Sequence, residues 1–89
     1  MNLAKYHQNA QMLEEFMEYS DRILRIIKDR NLTYYRIAKD TGISESLFGK
    51  WKIKPTSKIT AEKLVLIADY LGCSVDFLLG RTDNPNVNP

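Results

Sequence analysis

The sequence predicts an all-α fold: a compact five-helix domain preceded by an extra N-terminal helical extension. Three observations carry that reading. Apolar residues recur three and four positions apart, as in Ile23, Leu24 and Ile27, or Leu64, Ile67, Ala68 and Leu71. This is the period of a helix with one buried face. A hydroxyl residue precedes each of four such segments, at Thr33, Ser44, Thr60 and Ser74, where it can accept from a free amide of the first helical turn. Asn31, Gly42, Gly72 and Gly80 stand where segments end, and these residues tolerate the left-handed backbone that closes a helix. No credible strand, internal repeat or low-complexity tract interrupts the pattern.

A chain of 89 residues makes one small domain, whose core is marginal enough for helix packing and self-association to matter. It divides into a helical extension over residues 1–19, the domain over 20–80, and an irregular tail over 81–89 that carries two of the three prolines. The net charge of +2 is weak, but its distribution is uneven. Residues 1–20 set Lys5 against Glu14, Glu15 and Glu18 for a local −2, whereas residues 44–60 set Lys50, Lys52, Lys54 and Lys58 against Glu45 for a local +3. The basic segment fits either a phosphate-facing surface or a solvated lysine-rich loop.

In the extension, Leu3, Tyr6, Ala10, Leu13, Met17, Ser20, Leu24 and Ile27 form a heptad-like seam. A second stripe of Met12, Phe16, Tyr19, Ile23 and Ile26 competes with it. The competition favours a helix over residues 8–19, packed within the chain or on a partner subunit, over a long coiled coil. Ser20 is then placed to cap the first domain helix, which runs to about Arg30, with Asp21 in its first turn. The second helix covers residues 34–40 and the third 44–52. A loop with Pro55 and a Thr-Ser pair follows. The fourth helix ends at Gly72, and a short fifth covers residues 75–79.

Residues 37–51 have a distinct character. Ile37 with Ala38, a turn at Gly42, and Ile43, Phe48 and Trp51 suit two short helices that cross steeply through a tight turn. That is a helix-turn-helix, whose second helix lies in the DNA major groove. The N-terminal residues of such a helix reach base edges. Here these are Glu45, Ser46 and Leu47, with Lys50 one turn later. Ser46 suits either base pair, Lys50 suits guanine, Leu47 suits a thymine methyl, and Glu45 suits cytosine N4. Glu45 equally suits an intramolecular basic partner. Tyr34 can offer its hydroxyl to a phosphate at a helix N-terminus, joined by Ser44, Lys52, Lys54 and Lys58. Contacts from the three lysines would give a slope of log affinity against log salt of about −3. Phe48 and Trp51 belong to the core. Gly49, mid-helix, allows either close approach to DNA or nothing more than a weak spot.

Other chemistries find little support. A single His and a single Cys do not make up the three or four protein ligands of a zinc site, and no phosphate loop, nucleophile elbow or metal-binding helix motif is present. No catalytic residue and no cofactor is expected, so the chain does not read as an enzyme. Cys73, alone, reads as a buried thiol in a reducing compartment. The chain lacks a membrane-length apolar run and a signal-peptide pattern, which makes a cytoplasmic location the expectation.

Residues 21–80 resemble the phage-repressor-like (Cro/Xre-type, lambda-repressor-like) helix-turn-helix domains. The resemblance rests on Leu32-Thr33, Ile37-Ala38, Gly42-Ile43-Ser44, Phe48 with Trp51, Leu64 with Ile67-Ala68, Leu71-Gly72, and residues 74–81. It implies a transcriptional regulator that binds operator DNA as a homodimer. It also implies phosphate contact at Tyr34 and base reading at Glu45, Ser46, Leu47 and Lys50. Many members pair an Arg in the first helix with a Glu after the third; Ile27 and Lys52 stand there instead. The loop after the third helix lacks the usual Gly and is one residue longer. Residues 1–16 lie outside the resemblance. The competing function is a protein-interaction module, an antitoxin or adaptor whose residues 1–19 grip a partner.

Overall fold

The computed structural model describes residues 17–86, and these fold into five helices with no strand among them. The expected extension helix over residues 8–19 falls almost wholly outside the described residues. In chain order the helices are α1 (Tyr19–Asp29), α2 (Tyr34–Thr41), α3 (Glu45–Ile53), α4 (Ala61–Leu71) and α5 (Val75–Leu78).

Four of the five starts follow the hydroxyl-cap pattern. Thr33 accepts from the Arg36 amide, Ser44 from Ser46, Thr60 from Lys63 and Ser74 from Phe77. These side chains satisfy amides that have no partner within the helix. The first start departs from the expectation. α1 begins two residues early, with Glu18 at the cap position making no side-chain cap bond. Ser20 lies inside the first turn, fully buried, and its hydroxyl donates to the Pro55 carbonyl at 2.5 Å. A carbonyl in the loop after α3 offers that hydroxyl a partner which a local capping rule cannot see. At the far end of α1, Asn31 takes the left-handed conformation with φ 57°, and Leu32 then bonds back to the Ile27 carbonyl at 3.0 Å.

The core collects Ile23 and Ile27 from α1, Ile37 from α2, Phe48 and Trp51 from α3, and Ile67, Ala68 and Leu71 from α4, with Ile43, Cys73 and Leu78 closing it. Removing this apolar surface from water is the main favourable term. The α3 aromatics are its centre: Phe48 and Trp51 meet edge-to-face at 6.0 Å, and Tyr19 meets Trp51 in the same manner. The indole N–H of Trp51 donates to the Ser57 carbonyl at 3.0 Å, so the largest core side chain has its one polar atom satisfied. Ile27 is buried and fills its site without any ion to desolvate. Burial also raises the Cys73 thiol above its ordinary range, which keeps it a neutral packing residue.

Arginines tie the C-terminal elements to α1. Arg22, itself buried, donates from Nε to the Phe77 carbonyl at 3.0 Å and lies over the Phe77 ring. Arg30 donates to the Leu71 carbonyl at the end of α4, where free carbonyls and the helix dipole favour a cation. Residues 81–86 of the tail form no helix or strand, and the Ser74 amide donates to the Pro85 carbonyl at 2.9 Å, which returns this segment to the start of α5.

Candidate nucleic-acid interface

α2 and α3 are set at their angle by a short, fully bonded turn. The Gly42 amide donates to the Ala38 carbonyl at 2.9 Å with φ 81°, a conformation without penalty only for a residue lacking Cβ. The Thr41 hydroxyl donates to the Ile37 carbonyl at 2.6 Å and accepts from the Ile43 amide at 3.2 Å. Ile43, buried, then pins the turn to the core.

With Phe48 and Trp51 pointing inward, the opposite side of α3 is open. Glu45, Ser46, Gly49, Lys50 and Ile53 are exposed. On a 3.6-residue helix, Ser46 and Ile53 point most directly away from the two aromatics, with Gly49 and Lys50 to either side. Leu47 is half-buried and packs partly on the core, so it offers only part of its side chain to a partner. The Ser46 and Ser44 hydroxyls share a 2.7 Å hydrogen bond at the mouth of the helix. Glu45 is exposed and forms no ion pair with any described residue, so an internal basic partner for it is absent among them.

Tyr34 and Lys52 come together. Tyr34, half-buried at the start of α2, stacks on Phe48 with ring centres 5.2 Å apart and planes 16° from parallel. The Lys52 ammonium lies 4.9 Å from the centre of the same ring. A hydroxyl and a cation therefore sit side by side where α2 begins and α3 ends. Lys54 is exposed at the α3 terminus. Lys58, also exposed, is drawn toward the Tyr19 ring of α1, at 5.9 Å. The groove beside Tyr34 and Lys52 is lined as well by Arg25 and Lys28 of α1. These two cations were not among the residues singled out from sequence. Their spacing of three on α1 is a visible signal, but only the fold brings it beside Tyr34.

One further cluster joins α2 and α4. Asp40 receives the Arg36 guanidinium at 3.0 Å and the Tyr70 hydroxyl at 2.7 Å. Those two bonds hold the Asp40 carboxyl below the ordinary carboxylate range, and the bond to Asp40 raises the Tyr70 phenol. The Tyr70–Asp40 bond ties α4 to α2. Among the described residues no three His, Cys, Asp or Glu side chains gather as metal ligands, and no helix is long and apolar enough to cross a membrane.

Comparison with known proteins agrees with this geometry. A family model described as a Cro/C1-type HTH DNA-binding domain matches residues 22–84. An HTH-type transcriptional regulator of Bacillus subtilis (strain 168), YobD, described as uncharacterized, is 34% identical over 68 residues. That alignment covers 76% of this chain and 60% of YobD, so the chain spans a little over half of that relative's length. No solved structure gives a significant match.

Proposed function

The chain belongs to the Cro/C1-type helix-turn-helix DNA-binding domain family, and we propose that it is a sequence-specific transcriptional regulator of double-stranded DNA, a repressor of phage or mobile-element type. It acts by binding, not by catalysis, in the cytoplasm, and needs no cofactor. α3 enters the major groove. Glu45, Ser46 and Lys50 read base edges, with the exposed part of Leu47 against a thymine methyl. Tyr34, Ser44, Lys52, Lys54 and Lys58 hold phosphates and fix the register. A homodimer on an inverted repeat places two copies of α3 about 34 Å apart, one helical turn of DNA.

The observation that supports this reading best is the division of α3 into two sides. Its large aromatics are wholly buried, while the polar residues of its first turns face solvent beside the paired Tyr34 and Lys52. Selection of bound sequences from random duplex DNA tests it. The expected result is an enriched palindrome, and failure to enrich any sequence overturns the reading. Replacing Ser46 and Lys50 together with Ala should flatten the preference; an unchanged preference removes them as base readers.

A protein partner for residues 1–19 is a separate proposal. It draws on their acidic charge and on the start of the matched region at residue 22. Deleting residues 1–16 should cost a partner or the dimer while leaving half-site binding intact.

A further inference from the structure

Two residues on the outward side of α3 break local rules, and they are neighbours. Gly49 sits mid-helix, where Gly is less favourable than Ala by roughly 1 kcal/mol. The usual reasons for keeping a Gly do not apply. Its backbone is helical, not left-handed, and a Cβ built on it would meet nothing within 4 Å. Ile53 is four residues on, so the two adjoin on one face. It is the most exposed large apolar residue described, at 88%. A single exposed apolar residue needs no explanation. A bare backbone position beside one, on the stripe that also carries Ser46 and Lys50, leaves an open notch with an apolar side chain one turn away. Lys50, Lys52 and Lys54 are exposed on the same helix or at its end, so the surroundings of the notch suit a polyanion.

Resting on the DNA-binding reading above, we infer that Gly49 and Ile53 form a notch that seats the 5-methyl group of a thymine. The methyl rests in van der Waals contact with the Gly49 Cα, where an alanine Cβ would collide with it, and Ile53, one turn on, flanks it. The Gly is therefore kept for the DNA and not for the fold. It is a specificity-determining position that acts through the absence of a side chain.

The test exchanges the methyl between protein and DNA, using the sequence the wild-type chain selects from random duplexes. Each thymine in it is replaced in turn by deoxyuridine, which lacks only the methyl. In the wild type, one such replacement per half-site should weaken binding about three- to five-fold, the worth of one buried methyl. Gly49→Ala should melt no lower than wild type, yet bind the thymine duplex about ten-fold more weakly through overpacking. On the duplex with deoxyuridine at that one position, most of the defect should disappear. Ile53→Ala should lose the preference for thymine there without gaining one for deoxyuridine. Wild-type affinity and thymine preference in Gly49→Ala would overturn the inference. So would a defect that no deoxyuridine relieves, or one that sedimentation traces to lost self-association. A wild-type chain that selects no sequence overturns the DNA-binding reading itself, a result distinct from these.

Discussion

The Lys52 ammonium lies 4.9 Å from the centre of the Tyr34 ring, and that ring stacks on Phe48. α3 thus supplies both a core aromatic and a surface cation to one tyrosine of α2. The contact holds a long, flexible side chain near a fixed hydroxyl. An exposed cation–ring contact contributes only about 0.5–1 kcal/mol, so its value lies in placement more than in stability.

If this pair clamps a phosphate, its two halves have separable signatures. Tyr34→Phe keeps the stack and the cation contact, so thermal stability should hold while operator affinity falls about three- to ten-fold, the scale of one hydrogen bond. Lys52→Ala should reduce the steepness of the salt dependence by about 0.9. Fluorescence anisotropy across a salt series measures both. A Lys52→Ala slope equal to wild type would place that ammonium off the DNA.

What was legible in the sequence was local. The caps at Thr33, Ser44, Thr60 and Ser74 depend on residues two or three positions apart, and each occurs as read. The three-residue spacing of Phe48 and Trp51 was enough to bury them both. Ser20 departs from the capping rule because its partner, Pro55, is 35 positions away. The contact of Lys52 with Tyr34 and the bond of Tyr70 to Asp40 depend on helix angles that no spacing encodes. The space around Gly49, open in the fold, is likewise not encoded by spacing.

The Trp51–Ser57 bond makes a contrasting pair of stability predictions. Trp51→Phe keeps an aromatic in the core but leaves the Ser57 carbonyl without its indole donor, at a cost of about 1–3 kcal/mol in urea denaturation. The Ser57 hydroxyl is buried and has no hydrogen-bond partner among the described residues. Ser57→Ala should therefore be neutral or stabilise by up to about 1 kcal/mol. A large loss in Ser57→Ala would mean that the hydroxyl has a role beyond the contacts seen.

The Asp40 cluster predicts a pH dependence with a definite sign. Tyr70 and Arg36 depress the carboxyl in the folded chain. Its contribution is therefore fully present above the ordinary carboxylate value of 3.8 and is lost as pH falls through the lower folded value. Tyr70 is raised above 10.0, so its contribution is fully present below that value and disappears as pH rises through the folded one. Tyr70→Phe should move the Asp40 carboxyl back up, as followed by NMR titration. An unmoved carboxyl would leave Arg36 alone responsible.

Glu45 is the acid in an otherwise basic neighbourhood, exposed at the first position of α3 and without an ion-pair partner among the described residues. A carboxylate there favours the helix by about 0.3–1 kcal/mol through the dipole, and it repels phosphate at the same time. Glu45→Gln should therefore lower the melting point slightly and raise affinity for random duplex DNA. If the carboxylate accepts from cytosine N4, the amide should change the selected site at one position per half-site, from cytosine toward adenine, whose N6 and N7 it can pair. Repeating the selection with this variant separates the roles. A shifted base makes Glu45 a reader; the same site bound more tightly leaves it a brake on non-specific binding, its specificity role withdrawn.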